Sequence, residues 1–279
     1  MSILDYFKPV STWTAEKIRQ FMKEKNPGDY NLADVRQPKE YEKGHLPGAK
    51  LIPLGELKDR LFEVDPDKPT IVYWAAGVRS RAAAAVLSGA GLKNVYSVEG
   101  GINAWEGLRA EGLPDSGMAY FADATRPEEL MTLAWYLEKG SQTFYSGLSQ
   151  RVSDSVATDL FKELAVAEEH HQASLSRLYQ DVKGPPSASG FPESIIPSPD
   201  KGELMEGGMR VSEALEWARG REIKDILDLS MSLEANAYDL HLRMKARIED
   251  PRGKEVFARL SREERGHLDR LSSLLEQKT

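Results

Sequence analysis

LFKELAVAEEHHQASLSRLY, residues 160–179, reads as a helix whose inward face is not simply apolar. Leu160, Leu164, Ala167, Glu168, His171, Leu175 and Leu178 fall along one stripe, because residues three and four apart share a side of an α-helix. An ionisable pair sits in the middle of it. The spacing Glu-x-x-His puts a carboxylate and an imidazole on one face, where both can be aimed at a single point. The pattern recurs in VFARLSREERGHLDRLSSLL, residues 256–275, where Glu264 and His267 lie among Val256, Leu260, Leu271 and Leu274. Each pair is preceded thirty residues earlier by another glutamate, Glu138 and Glu234, so the whole arrangement repeats with an offset of ninety-six. One Glu-x-x-His alone is an ordinary feature of a solvated helix face, since glutamate is a strong helix former. Two copies inside apolar stripes are not, because ionisable groups at core positions cost several kcal/mol unless they are paired or coordinate a metal. The repeat predicts a metal centre.

Four helices bearing a Glu, a Glu-x-x-His, a Glu and a Glu-x-x-His resemble the ferritin-like di-iron and di-manganese carboxylate proteins. The resemblance implies an all-α ferritin-like four-helix bundle over residues 127–279 that holds two iron ions. Its ligands would be Glu138, Glu168, His171, Glu234, Glu264 and His267, with Glu168 and Glu264 bridging and Glu138 and Glu234 terminal. Manganese and zinc suit the same donors. Periodicity places the bundle helices at about 127–150, 154–181, 222–249 and 253–276, with Thr125 as the first cap and Pro251 and Gly253 breaking the third from the fourth. Residues 182–208 are rich in Pro, Gly and Ser and suit a long crossover, and a short helix is expected over 211–219.

Residues 1–112 alternate strand and helix signals. A helix over 14–25 is followed by β-rich runs at 30–35, 50–54, 70–74 and 94–98, which predicts an α/β domain with a parallel sheet. LADVRQPKEYEKGHLPGAKLIPL (32–54), IVYWAAGVRSRAAAAVL and VEGGINAW occur in that order and resemble the motifs of rhodanese-like domains. Rhodaneses carry a persulfide on a cysteine three residues before the loop glycine; here that glycine is Gly77 and the position is Trp74. An indole has no thiol to ionise, so the resemblance implies a domain inactive as a sulfurtransferase. Gly77, Arg79, Ser80 and Arg81 remain from the loop, either as an anion site at a helix N-terminus or as remnants around a pocket that the indole fills, the latter being favoured. His45, Asp34 and Arg36 read as structural groups. Residues 113–126 read as the linker.

LEKGSQTFYSGLS and the stretch around Glu168 resemble rubrerythrins most among ferritin-like families. Tyr145 lies seven residues after Glu138 and is expected close behind the ligands; His241, seven after Glu234, reads as a group behind the ligands, as a ligand itself, or equally as a partly buried helix histidine with no such role. Glu169, His170 and Glu263 fall off that face and read as solvated. Rubrerythrins carry a further glutamate one turn after the third-helix ligand, where this chain has Ala237, and they usually carry a rubredoxin-like domain, which needs cysteines this sequence lacks.

Composition bounds the rest. The 279 residues suffice for two domains, and a net charge of −7 argues against nucleic acid as a partner. No signal peptide or long apolar run is evident, so a cytoplasmic protein without a membrane partner is expected. Zero cysteine excludes disulfides and thiol chemistry within this sequence. The leading expectation is a di-iron oxidoreductase that reduces peroxide or dioxygen with electrons from an external donor protein. A non-catalytic iron-binding or sensing module, with the rhodanese-like domain as a docking surface, is the alternative, and an active sulfurtransferase is disfavoured. A homodimer is implied by resemblance alone.

Overall fold

The computed structural model describes residues 11–75, 78–111, 126–184, 190–196, 204–206 and 209–278, with the side chains of 78–81 outside that description. The chain divides into two compact units, Met1–Pro114 and Asp115–Thr279.

In the first unit β1 (Ser11–Trp13), β2 (Asn31–Asp34), β3 (Lys50–Leu51), β4 (Thr70–Tyr73) and β5 (Val95–Val98) form one parallel sheet in the order β1-β5-β4-β2-β3. The helices α1 (Ala15–Glu24), α2 (Pro38–Glu42) and α3 (Val78–Gly89) lie between β1 and β2, β2 and β3, and β4 and β5, while β3 leads to β4 through turns and the single 3₁₀ turn Leu61–Glu63. The central strand TIVY is buried throughout, as expected when helices cover both faces of a parallel sheet. The edge strand β1 was not anticipated from sequence; its three residues pair with β5, and Trp13 stacks on Tyr96 at 3.8 Å between ring centroids.

The second unit is helical: α4 (Pro127–Ser149), α5 (Ser155–Lys183), the short α6 (Val211–Trp217), α7 (Ile223–Arg247) and α8 (Pro251–Lys278). Helix α4 packs along α5 and α7 along α8, while α5 meets α8. Local chemistry sets the ends. Asp154 caps α5 by accepting from the Ala157 amide at 2.9 Å. Thr125, expected as the first cap, lies outside the described residues; Arg126 holds the N-cap position of α4, and its amide donates to the Glu129 carboxylate at 3.1 Å. Pro251, read from sequence as a breaker, opens α8, where a missing N–H costs nothing.

Two apolar clusters divide the bundle. Helix α4 runs from the first (Leu130, Leu133, Leu137) past Glu138 into the second (Phe144, Tyr145, Leu148), and α8 runs the same way, from Phe257 and Leu260 to Leu271 and Leu274. Helices α5 and α7 run in the opposite sense, from Phe161 and Leu164 to Leu175 and Leu178, and from Leu227 and Leu233 to Leu240 and Met244. Because α5 and α7 are parallel, the chain between them must return the length of the bundle. Leu204 belongs to one cluster and Met205 to the other, so the crossover passes the boundary between them. It passes close to α4: a Cβ on Gly140 would stand 2.0 Å from the Leu204 carbonyl oxygen, which leaves glycine as the residue that fits.

Candidate metal centre

The boundary between the two apolar clusters is a layer of acids and imidazoles. Glu138 from α4, Glu168 and His171 from α5, Glu234 and His241 from α7, and Glu264 and His267 from α8 are all buried, none more than 3% exposed. Helical spacing brings them together, since each stripe reaches this level at the same depth from opposite ends.

Their ligand atoms converge in two sets, Glu138, Glu168, His171 and Glu264, and Glu168, Glu234, Glu264 and His267, with the atoms of each set within 4.8 Å of one another. Glu168 and Glu264 belong to both. His171 Nδ1 stands 3.1 Å from Glu138, 2.9 Å from Glu168 and 3.0 Å from Glu264. His267 Nδ1 stands 2.9 Å from Glu234 and 3.0 Å from Glu264. Ligands at right angles around one ion, each about 2.1 Å from it, lie about 3 Å apart, so these separations suit donors sharing an ion. Several atoms also lack any other use: Glu138 Oε1 and both Glu264 carboxylate oxygens are buried without a hydrogen-bond partner among the described residues. Such atoms are costly to bury, and a metal would satisfy them. Carboxylate oxygens with imidazole nitrogens are a donor set for iron, manganese or zinc. The residues fit a binuclear metal pair.

Without an ion the charges are mutually strained. Burial together with the Glu264 and Glu138 charges pushes the Glu168 carboxyl well above the usual range. Glu264 is held low against the burial penalty by the His171 charge. Burial opposes the charged imidazolium of His267, yet Glu234 and Glu264 outweigh it and raise the group to about 10. Two carboxylates sharing one site cannot both ionise freely unless cations intervene.

Around this core the two repeats are held differently. The Tyr145 hydroxyl donates to Glu234, crossing from α4 to α7. The equivalent residue of the other half, His241, crosses from α7 to α4, with Nε2 2.8 Å from Glu138 Oε1 and 3.4 Å from Glu264 Oε1. His171 turns its Nε2 toward Glu263 at 3.0 Å. Glu263 is therefore not a purely solvated residue as its sequence position suggests: its side chain is 45% exposed and yet pairs with a buried ring, which lowers its pKa. Glu169 and His170 are exposed.

Glu206 was missed entirely from sequence. It lies on the crossover, is buried, and accepts from the Ser141 hydroxyl one turn beyond Glu138. Burial and the Glu138 charge raise its carboxyl to about 8, so it is a protonated acid near neutral pH. No periodicity marks it in a Pro- and Gly-rich stretch.

In the first unit Trp74 follows β4 and packs with Val35, Ile52, Leu57 and Val72 in the sheet's core. The Gly-Gly turn closes on its backbone: the Ile102 amide donates to the Trp74 carbonyl at 2.7 Å, and Gly101, at φ 63°, leaves no room for a Cβ. Gly77 lies outside the described residues, as do the side chains of Arg79, Ser80 and Arg81. His45 is buried, stacked on Tyr41 at 3.7 Å and bonded to the Tyr41 carbonyl at 3.0 Å. Arg36 grips Asp34 through paired contacts of 2.6–3.0 Å and donates to the Gly44 carbonyl at 2.7 Å, which ties the loop to the strand end.

Comparison with known proteins matches residues 14–108 to the family described as rhodanese-like domain and residues 129–275 to the family described as rubrerythrin. The uncharacterized protein YqhL of Bacillus subtilis is 45% identical over 76 residues, which are 27% of this chain and 60% of that protein. The thiosulfate sulfurtransferase GlpE of Pseudoalteromonas translucida is 35% identical over 83 residues, 30% of this chain and 79% of that protein. Among solved structures, a rhodanese-related protein from Thermoplasma volcanium aligns with 34% of this chain and 89% of its own, at 35% identity and a TM-score of 0.31. A hypothetical protein from Pyrococcus furiosus aligns with 56% of this chain and 91% of its own, at 26% identity and a TM-score of 0.43. No helix among the described residues is long and apolar enough to cross a membrane.

Proposed function

The chain belongs to the rubrerythrin family, joined here to a rhodanese-like domain, and from that membership we propose that its bundle is a di-iron oxidoreductase reducing peroxide or dioxygen. The observation that carries this reading is the pair of four-residue ligand sets joined by Glu168 and Glu264. Two bound irons would supply one electron each to a small oxidant.

The chain's own residues supply the setting. Tyr145 fixes the Glu234 carboxylate, so the terminal ligand on that side is oriented before metal arrives. The apolar clusters on both sides of the layer exclude bulk water and strengthen every charge interaction inside it. Reduction of peroxide to water consumes protons together with electrons. Glu263, bonded to His171 and partly exposed, links the buried imidazole with solvent and offers the entry for those protons.

Electrons come from outside, because the sequence has no cysteine to hold a rubredoxin-type iron. An external donor protein is therefore part of the proposal. The rhodanese-like domain, with Trp74 in place of the nucleophile, acts as a non-catalytic module, and a thiosulfate-to-cyanide assay is expected to give no turnover above background.

The test is anaerobic loading with two equivalents of ferrous iron followed by hydrogen peroxide. Stoichiometric peroxide consumption with growth of ferric charge-transfer absorption is the expected result, and a supplied electron donor should then sustain turnover. Iron binding without peroxide consumption would overturn the oxidoreductase reading and leave an iron-binding or sensing module.

A further inference from the structure

We propose that His241 is itself a metal ligand, giving the ion at the Glu138 and His171 position a second imidazole that the repeated Glu and Glu-x-x-His pattern does not supply. The inference rests on the binuclear reading above and deepens it.

His241 is fully buried, and its Nε2 stands 2.8 Å from Glu138 Oε1 and 3.4 Å from Glu264 Oε1, both oxygens of the first ligand set. These separations resemble those of His171 Nδ1 from the same two residues, 3.1 and 3.0 Å. Donors about 2.1 Å from a common ion stand about 3 Å apart at right angles, so both rings flank one position. His241 stands outside the tight four-residue set and touches it along the Glu138 and Glu264 edge.

The alternative is a hydrogen bond from His241 that merely orients Glu138. The geometry disfavours it. Neither nitrogen of His241 has a hydrogen-bond partner among the described residues, and neither do Glu138 Oε1 or Glu264 Oε1, although Nε2 lies this close to both oxygens. Atoms within 3.4 Å that do not point at each other can point at a third atom between them. Tyr145 provides the contrast, because at the matching step of the other repeat its hydroxyl makes a true hydrogen bond to Glu234 and to no shared carboxylate.

A metal bond at Nε2 would give a partner to that nitrogen and to Glu138 Oε1 and Glu264 Oε1, which lie beside it without an aligned hydrogen bond. Ala237, one turn earlier on the same side of α7, presents only a methyl group and adds no competing donor. The two metal positions are therefore inequivalent: one carries His171 and His241, the other His267 alone, with Tyr145 behind Glu234.

The test uses the full chain loaded anaerobically with cobalt(II), whose protein spectra show strongly shifted resonances for the exchangeable N–H of each coordinated imidazole. Cobalt titration is expected to saturate at two per chain, with three such resonances assignable by histidine-selective ¹⁵N labelling. His241 is buried, so its N–H will not be lost to rapid exchange. In His241→Phe two resonances should remain, and free imidazole should restore the third. Two cobalt ions with only two shifted imidazole N–H in the unsubstituted protein would overturn the proposal and leave the binuclear site standing. Failure to bind cobalt would overturn both. The count in the unsubstituted protein decides the matter even if the variant does not fold.

Discussion

Tyr145 on α4 donates its hydroxyl to Glu234 on α7, so the lone glutamate of one repeat is held by a residue of the other. The bond is fully buried, and burial with the Glu234 charge keeps the phenol well above its usual pKa, so it remains a donor. Tyr145→Phe should weaken metal binding about tenfold, the low end of what loss of a group orienting a ligand costs. The loss should fall on the His267 side, and competition with a chelator of known affinity reads it. Equal affinity in the variant would show that Glu234 is oriented without the hydroxyl.

Glu263 offers a parallel test from the surface. Its carboxylate meets His171 Nε2 at 3.0 Å, an arrangement that fixes which nitrogen faces the layer of acids and imidazoles. Glu263→Gln should lower iron affinity about tenfold and slow peroxide consumption, while denaturation of the helical unit changes little, because the side chain is half solvated. An unchanged rate and affinity would return Glu263 to the solvated role its sequence position suggests.

Several site groups hold protons when no ion is present, and the sign of the pH dependence follows. His241, raised to about 9, and His267, raised to about 10, contribute stability that is fully present below the unfolded histidine pKa, about 6.5, and is lost as pH rises through those values. Glu206, raised to about 8, acts in the same direction, losing stability from about pH 4.5 upward. Chelator-treated protein should therefore show a falling melting temperature of the helical unit between pH 6 and 10. Metal-loaded protein should show a flatter profile. Metal binding near pH 7 must displace protons, so calorimetry in buffers of different ionisation enthalpy should detect proton release. A metal-free profile that rises over this range would contradict the assignment.

Gly140 tests the seat of the crossover. Gly140→Ala would set a Cβ 2.0 Å from the Leu204 carbonyl oxygen, so the crossover must move and draw Glu206 away from Ser141. A loss of about 1–3 kcal/mol in denaturation of the helical unit is expected, as for other overpacked sites. Glu206→Gln should be far milder, since the acid is already neutral near pH 7.

Spacing made the buried layer of acids and imidazoles legible, because helical geometry converts three-residue and thirty-residue intervals directly into shared depth. Glu138, Glu168, His171, Glu234, Glu264 and His267 needed no tertiary information to be singled out. Glu206 did, since the crossover has no period and its partner Ser141 lies sixty-five residues earlier. Glu263 was read from its angle around α8, one residue off the buried stripe, and that angle says nothing about a histidine on α5 able to reach it. Strand β1 is three residues long with a polar Ser-Thr start, and only its pairing with β5 makes it a strand. In the rhodanese-like unit Trp74 was legible as a replacement, while its packing against Val35 and Ile52 depended on the sheet order.

The central claim is that Glu168 and Glu264 serve two ions at once. Anaerobic ferrous titration of the unsubstituted chain, of Glu168→Gln and of Glu264→Gln tests it most directly. The predicted result is two irons per chain, with either substitution weakening both ions together. Fewer than two irons in the unsubstituted chain, or a substitution that removes one ion and leaves the other at full affinity, would contradict the shared-carboxylate site.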